Sequence, residues 1–153
     1  MQRRVFHKMI PLAALVLAVA LFATACGRAV LRFTDSGRTM SRTEVIELAR
    51  SVDLGPAYGA ASSEAVKHRA TALTELRSHG KAAQALADAL TAAFPADYQG
   101  VPAYVEAASV DGRDCWIVVE AKPSTAGPSK LTARRYWLFG RATYDVIESG
   151  TLD

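Results

Sequence analysis

His68 and His79 are the two histidines beyond the first ten residues, and each imidazole could act as a general base. A glutamate stands four positions before each of them, Glu64 before His68 and Glu75 before His79. On a helix this spacing offers a two-ligand metal clip, although it more often gives a surface ion pair. The two imidazoles would lie ~16 Å apart along one continuous helix, too far apart to share an ion. We therefore predict no metal and no cofactor, and a hydrolase that uses His68 or His79 is the alternative function.

Cys115 is the remaining side chain with nucleophilic chemistry outside the N-terminal segment. It lies beside Trp116 in an apolar run, which favours a buried and unreactive thiol. The sequence contains no CxxC, GxSxG or HExxH motif and no glycine-rich phosphate loop. The motif content therefore predicts a protein that is not an enzyme.

The first 25 residues have the layout of a secretory leader. Met1 to Lys8 are short and positively charged, and Met9 to Ala23 are almost wholly apolar. As a helix the apolar run spans ~22 Å, which is less than the ~30 Å hydrocarbon core of a bilayer. We interpret residues 1–25 as a cleaved signal peptide.

Cys26 follows this leader directly, and its position resembles the lipobox of bacterial lipoproteins. In that family the thiol receives a diacylglyceryl group before signal peptidase II cuts in front of it. Ala25 fits the pattern, whereas Ala23 stands where leucine is usual. The resemblance implies a lipid on Cys26 that holds the protein at the extracytoplasmic face of the cell membrane or outer membrane. Cleavage by the ordinary signal peptidase after Ala25 is the alternative.

The basic character of the chain comes from this leader alone. The formal net charge of +3 equals the contribution of Arg3, Arg4 and Lys8, and no acidic residue precedes Asp35. The chain without its leader is therefore formally neutral and gives no electrostatic reason to expect a nucleic-acid partner.

Three helices are expected after a flexible lipid-anchored tether over residues 26–40, which is rich in arginine and shows no clear period. Ser41 and Glu44 form a capping-box pattern that begins the first helix, and the segment Asp53 to Pro56 ends it. The second runs from Ser62 or Ser63 to Gly80, and the third from about Lys81 to Phe94. The break at Gly80 favours a helical hairpin over one long bent helix.

Strand patterns follow the helices. Aromatic and β-branched residues become more frequent here, and strands are expected at 104–110 and 114–121, separated by the tight-turn pair Asp111-Gly112. Two further strands are expected at 131–139 and 143–148. We predict one α+β domain over residues 41–153. In it, two or three N-terminal helices (41–94) pack on a four-stranded antiparallel meander (103–149).

A surface for recognition is expected on the third predicted strand and the turn that follows it. Alternation places Trp137 and Phe139 on one side, where they are the better core candidates, and Arg134 and Tyr136 on the other. We predict that Arg134, Tyr136 and Tyr144 contribute to a binding surface, because tyrosine and arginine are enriched at interface hot spots.

The segments Trp116–Glu120, Arg135–Phe139 and Arg141–Ile147 resemble the strands of PepSY-type domains of exported bacterial proteins. That resemblance implies a cell-envelope module that binds a partner or restrains a peptidase. Together with the predicted anchor, it favours a non-enzymatic protein-binding or envelope-binding lipoprotein.

Overall fold

Five strands and three α-helices make up residues 31–152, which are the residues that the computed structural model describes. In chain order they are β1 (Arg32–Met40), α1 (Arg42–Ser51), α2 (Ala65–Arg77), α3 (Lys81–Ala93), β2 (Val101–Val110), β3 (Arg113–Lys122), β4 (Ala133–Gly140) and β5 (Val146–Leu152). Short 3-10 turns at Gly55–Ala57 and Ser62–Glu64 connect α1 to α2. The α+β class is confirmed. The leader and Cys26 lie outside the described residues.

The sheet has five strands in the order β1-β2-β3-β4-β5, with β1 parallel to β2 and the other pairs antiparallel. The predicted four-stranded antiparallel meander was therefore wrong in its strand number and in its first pairing. Residues 32–40, assigned to the tether, form the edge strand β1. An edge strand pairs with a neighbour on one side only and is largely exposed to solvent, so its sequence needs few apolar residues. The helices between β1 and β2 supply the long crossover that a parallel pair requires.

Helices cover both faces of the sheet, so the fold has three layers. The α1 face carries Arg134, whose Nη1 donates to the carbonyl of Ala49 in α1 at 3.1 Å. The hairpin face carries Glu120, whose Oε1 accepts a hydrogen bond from Nη1 of Arg69 in α2. Because neither face is open to water, β2 and β3 are buried almost throughout, which explains their nearly continuous apolar runs.

The helix boundaries follow the predicted local signals. Ser41 caps α1, with its hydroxyl accepting from the Glu44 backbone N–H and its own N–H donating to the Glu44 carboxylate at 2.6 Å. Gly80 separates α2 from α3 with a φ of +102°, a left-handed conformation that favours glycine. The capping box and the helical hairpin are both confirmed.

The sheet has two ends with different loops. The entry end is the one where β1, β2 and β4 begin and where β3 and β5 finish; the far end carries the Asp111-Gly112 turn and the β4–β5 turn. The buried core runs from Leu31 to Phe139 in sequence, so residues 31–152 enclose their own core. Among these residues, no helix combines the length and apolarity that a membrane span requires.

Candidate functional site

The structure separates the three residues of the predicted recognition surface. Arg134 lies at the entry end of β4, while Tyr144 lies in the β4–β5 turn at the far end, about 20 Å away along the strand. Tyr136 is only 6% exposed, because α1 covers its face of the sheet. Its hydroxyl donates to Glu148 at 3.0 Å. Alternation alone had predicted Tyr136 to be exposed, which is wrong in this three-layer fold.

Arg134 instead lines a cleft of about 340 Å³ at the entry end. The cleft forms where α1 finishes, β4 begins and β5 ends, and the 52–60 loop closes one side. Its walls are Arg50, Tyr58, Thr132, Arg134, Thr151 and Leu152. We call it the arginine cleft, and no acidic side chain is among these residues.

The Arg134 guanidinium is held in place by its surroundings. Nη1 donates to the carbonyls of Ala49, at 3.1 Å, and Val52, at 2.7 Å, at the C-terminal end of α1. The guanidinium carbon lies 4.9 Å from the centre of the Tyr58 ring, which is exposed to solvent. The hydrogen bonds and the cation–π contact together fix the plane of the guanidinium.

Neither arginine of the cleft has a carboxylate partner among residues 31–152. Within the same residues, Nε and Nη2 of Arg134 make no hydrogen bond to protein. A guanidinium with free N–H groups in a fixed plane can bind a carboxylate or phosphate through two parallel hydrogen bonds. The cleft is therefore suited to an anionic group.

The two histidines occupy separate and unrelated surroundings. His68 Nε2 lies 3.9 Å from Glu64 Oε2, and the His79 ring stacks on Phe33 at 4.4 Å between ring centres. No serine, threonine or cysteine side chain is hydrogen-bonded to either imidazole in the part of the chain described. The hydrolase alternative stays a prediction.

Cys115 is buried as predicted, and burial raises the pKa of its thiol. Over residues 31–152, no group of three or more histidine, cysteine, aspartate or glutamate side chains gathers in a metal-binding arrangement. The Cys115 side chain belongs to the buried hydrophobic core.

A buried ion pair on the hairpin face was missed at the sequence level. Glu120 is fully buried and accepts hydrogen bonds from Arg69, Tyr98 and the Trp137 indole at 2.8 to 3.1 Å. Arg69 also donates to the carbonyls of Gly100 and Leu90. Burial, followed by the negative charge of Glu120, raises the pKa of Tyr98. The available signal was an acid inside an apolar strand, which in a folded protein needs a partner.

A second buried acid lies on the α1 face, near the β1 edge. Glu106 is 1% exposed and receives hydrogen bonds from Arg38, Ser36 and Tyr104. Burial acts to raise the pKa of Glu106, but these donors outweigh it and hold that pKa below its ordinary value. Both acids are satisfied within the protein and lie outside the arginine cleft.

Comparison with known proteins gives no family to which the chain can be assigned. No protein-family model, no curated protein and no solved structure matches it. The resemblance to PepSY-type domains stays a prediction.

Proposed function

We propose that this chain is a lipid-anchored protein of the extracytoplasmic face of a bacterial membrane, and that its folded domain is a non-enzymatic binding module. In this proposal, the module binds an anionic group of its partner in the arginine cleft. The observation that supports it most strongly is the Arg134 guanidinium, held by backbone carbonyls and an aromatic ring but paired with no carboxylate among residues 31–152.

The helix end leaves most of the charge of Arg134 available. The two carbonyls that it contacts belong to the negative end of the α1 dipole, equivalent to about half an elementary charge at most. Arg50, in the last turn of α1, adds a second positive charge to the cleft wall. An anion in the cleft would therefore meet a net positive site on a rigid sheet.

The lipid anchor rests on Cys26 and its leader, and the fold limits how far such an anchor could hold the domain from the bilayer. Because β1 begins at Arg32, its start lies only six positions along the chain from Cys26. Fully extended, this stretch of chain reaches about 22 Å at most. The domain would therefore lie close to the membrane.

An NMR titration tests the cleft. The ¹⁵N-labelled chain from residue 27 onward retains the whole core and can be titrated with sodium phosphate or sodium acetate at constant ionic strength. We expect saturable shifts at the Arg134 Nε–H and the Thr151 amide that Arg134→Gln abolishes. Arg141→Gln is the matched control, because Arg141 also stacks on an aromatic ring but lies at the far end. Shifts that sodium chloride reproduces, or that survive Arg134→Gln, would refute the cleft proposal.

Labelling with palmitate tests the anchor separately. Cells that express the full chain should incorporate label into the parent protein and not into Cys26→Ala. Equal label in both proteins would remove the lipid from the proposal.

A further inference from the structure

The two ends of the sheet differ in charge over residues 31–152. Strand ends, adjoining loops and helix ends contribute six bases at the entry end: Arg32, Arg50, Lys122, Lys130, Arg134 and Arg135. The acids at this end are Asp53, Glu64, Asp97 and Glu75, the last of which accepts a hydrogen bond from the Leu31 N–H. The same elements at the far end carry the bases Arg38, Arg42, Arg113 and Arg141 and the acids Asp35, Glu44, Asp111, Asp114, Asp145 and Glu148. The entry end is therefore cationic, and the far end is slightly anionic.

The chain enters the domain at the cationic end. Leu31 is 3% exposed and is the first residue that the structure describes, five positions after Cys26. Those five residues reach about 18 Å at most, whereas the nine residues of β1 extend about 30 Å toward the far end. A domain with lipid on Cys26 therefore cannot point its far end at the bilayer, because Leu31 would then have to stand about 30 Å above the surface.

We infer that the bases of the entry end outside the arginine cleft form a docking surface for the anionic phospholipid headgroups of the membrane that holds the protein. The inference rests on the proposed function, since the lipid on Cys26 is what brings this end to the bilayer. Electrostatic attraction to headgroups acts within a Debye length of about 8 Å at physiological salt, so the bases must lie at the surface itself. Arg32 and Lys130 are exposed, and Lys122 and Arg135 are partly exposed.

Arg32, Lys122 and Lys130 are the bases that can be changed with least effect on the fold. Their side chains make no ion pair in the described part of the chain, and none of them lines the arginine cleft. The entry variant replaces these three with glutamine. The far variant, Arg42→Gln with Arg113→Gln and Arg141→Gln, is the matched control because it removes the same charge from the opposite end.

Flotation of the chain from residue 27 onward with lipid vesicles tests the inference without using the lipid anchor. The parent should float with phosphatidylcholine vesicles that contain a quarter phosphatidylglycerol and should fail to float with vesicles of pure phosphatidylcholine. Salt at 0.5 M should release it, because a tenfold rise in salt concentration shortens the Debye length about threefold. Each base at an anionic surface strengthens binding about fivefold, so the entry variant should bind about 100-fold more weakly. The far variant should stay within about fivefold of the parent.

Equal weakening of the two variants would overturn the inference, because net charge alone would then explain binding. Equal flotation of the parent with both kinds of vesicle would also overturn it. Neither result bears on the acylation of Cys26, which palmitate labelling reports. Neither bears on anion binding in the arginine cleft, which the phosphate titration reports. Far-ultraviolet circular dichroism at the start of each experiment confirms that the variants are folded.

Discussion

Replacing Glu120 with glutamine should be among the most damaging conservative changes in the domain. The two carboxylate oxygens of Glu120 receive three donors, from Arg69, Tyr98 and Trp137, in a fully buried position. A carboxamide has a single oxygen, and its NH₂ group would face a donor. The change therefore leaves at least one donor without an acceptor and leaves the Arg69 charge without its counter-ion.

The size of the effect follows from the burial of both partners. Breaking a buried ion pair by removing one charge costs about 3–5 kcal/mol, because the other charge stays desolvated. Arg69 retains the carbonyls of Gly100 and Leu90 and its contacts with the Phe94 and Tyr98 rings, which favours the lower part of that range. Since domains of this kind are stable by about 5–15 kcal/mol, we expect a loss of a fifth or more of the total.

Equilibrium urea unfolding measures this change. With a slope of about 2 kcal/mol per molar urea, a loss of about 3–4 kcal/mol lowers the midpoint by roughly 2 M. The control is Asp88→Asn, which also removes the acid partner of an α2 arginine, Arg77, but in an exposed pair worth less than about 1 kcal/mol. If Glu120→Gln moves the midpoint no further than Asp88→Asn does, the buried network does not stabilise the fold as argued.

Two further changes test other parts of the structure. The pKa of Glu106 is lowered in the fold, so the unfolded chain takes up a proton first as the pH falls. This contribution to stability is present above about pH 4.5 and is lost as the pH falls through the lower folded pKa. Between pH 7 and pH 3 the free energy of unfolding should therefore fall less steeply for Glu106→Gln than for the parent, and an equal slope in the two proteins would refute this. A Cβ at Gly150 would meet Cε1 of the buried Tyr136 at 2.5 Å, so Gly150→Ala should cost about 1–3 kcal/mol, whereas Gly127→Ala, where a Cβ meets no atom within 4 Å, should cost less than about 0.5 kcal/mol. Equal melting temperatures for these two alanine variants would contradict the packing at Gly150.

Local signals in the sequence were sufficient for the helices and for one hairpin. The Ser41–Glu44 capping box, the break at Gly80 and the turn at Asp111-Gly112 each depend on residues close in sequence, and the structure has all three. Backbone conformation at such positions is set by nearby side chains and glycines, so it can be predicted without knowing the tertiary fold.

Contacts between distant residues could not be predicted in the same way. Strand β1 was missed because its sequence is polar, and its pairing with β2 joins residues about seventy positions apart. Tyr136 was assigned to the surface because alternation identifies two faces without showing that α1 covers the second. Glu120 gave a visible signal, an acid among apolar residues, but nothing local identified Arg69 as its partner.

The arginine cleft was found only in part for the same reason. Arg134 was predicted as a recognition residue, but the neighbours that give it this role come from α1, the 52–60 loop and the end of β5. Its predicted companions, Tyr136 and Tyr144, share its strand or the following turn and not its surroundings. A site assembled from four separate segments leaves no spacing pattern in the sequence.

Mass spectrometry of the N-terminal peptide of the native protein tests the central claim most directly. If the chain is a lipoprotein held by Cys26, the peptide begins at that cysteine and carries the mass of a diacylglyceryl group. A peptide that begins with an unmodified Cys26, or one that still contains the leader, would contradict both the anchored location and the membrane-facing orientation of the domain.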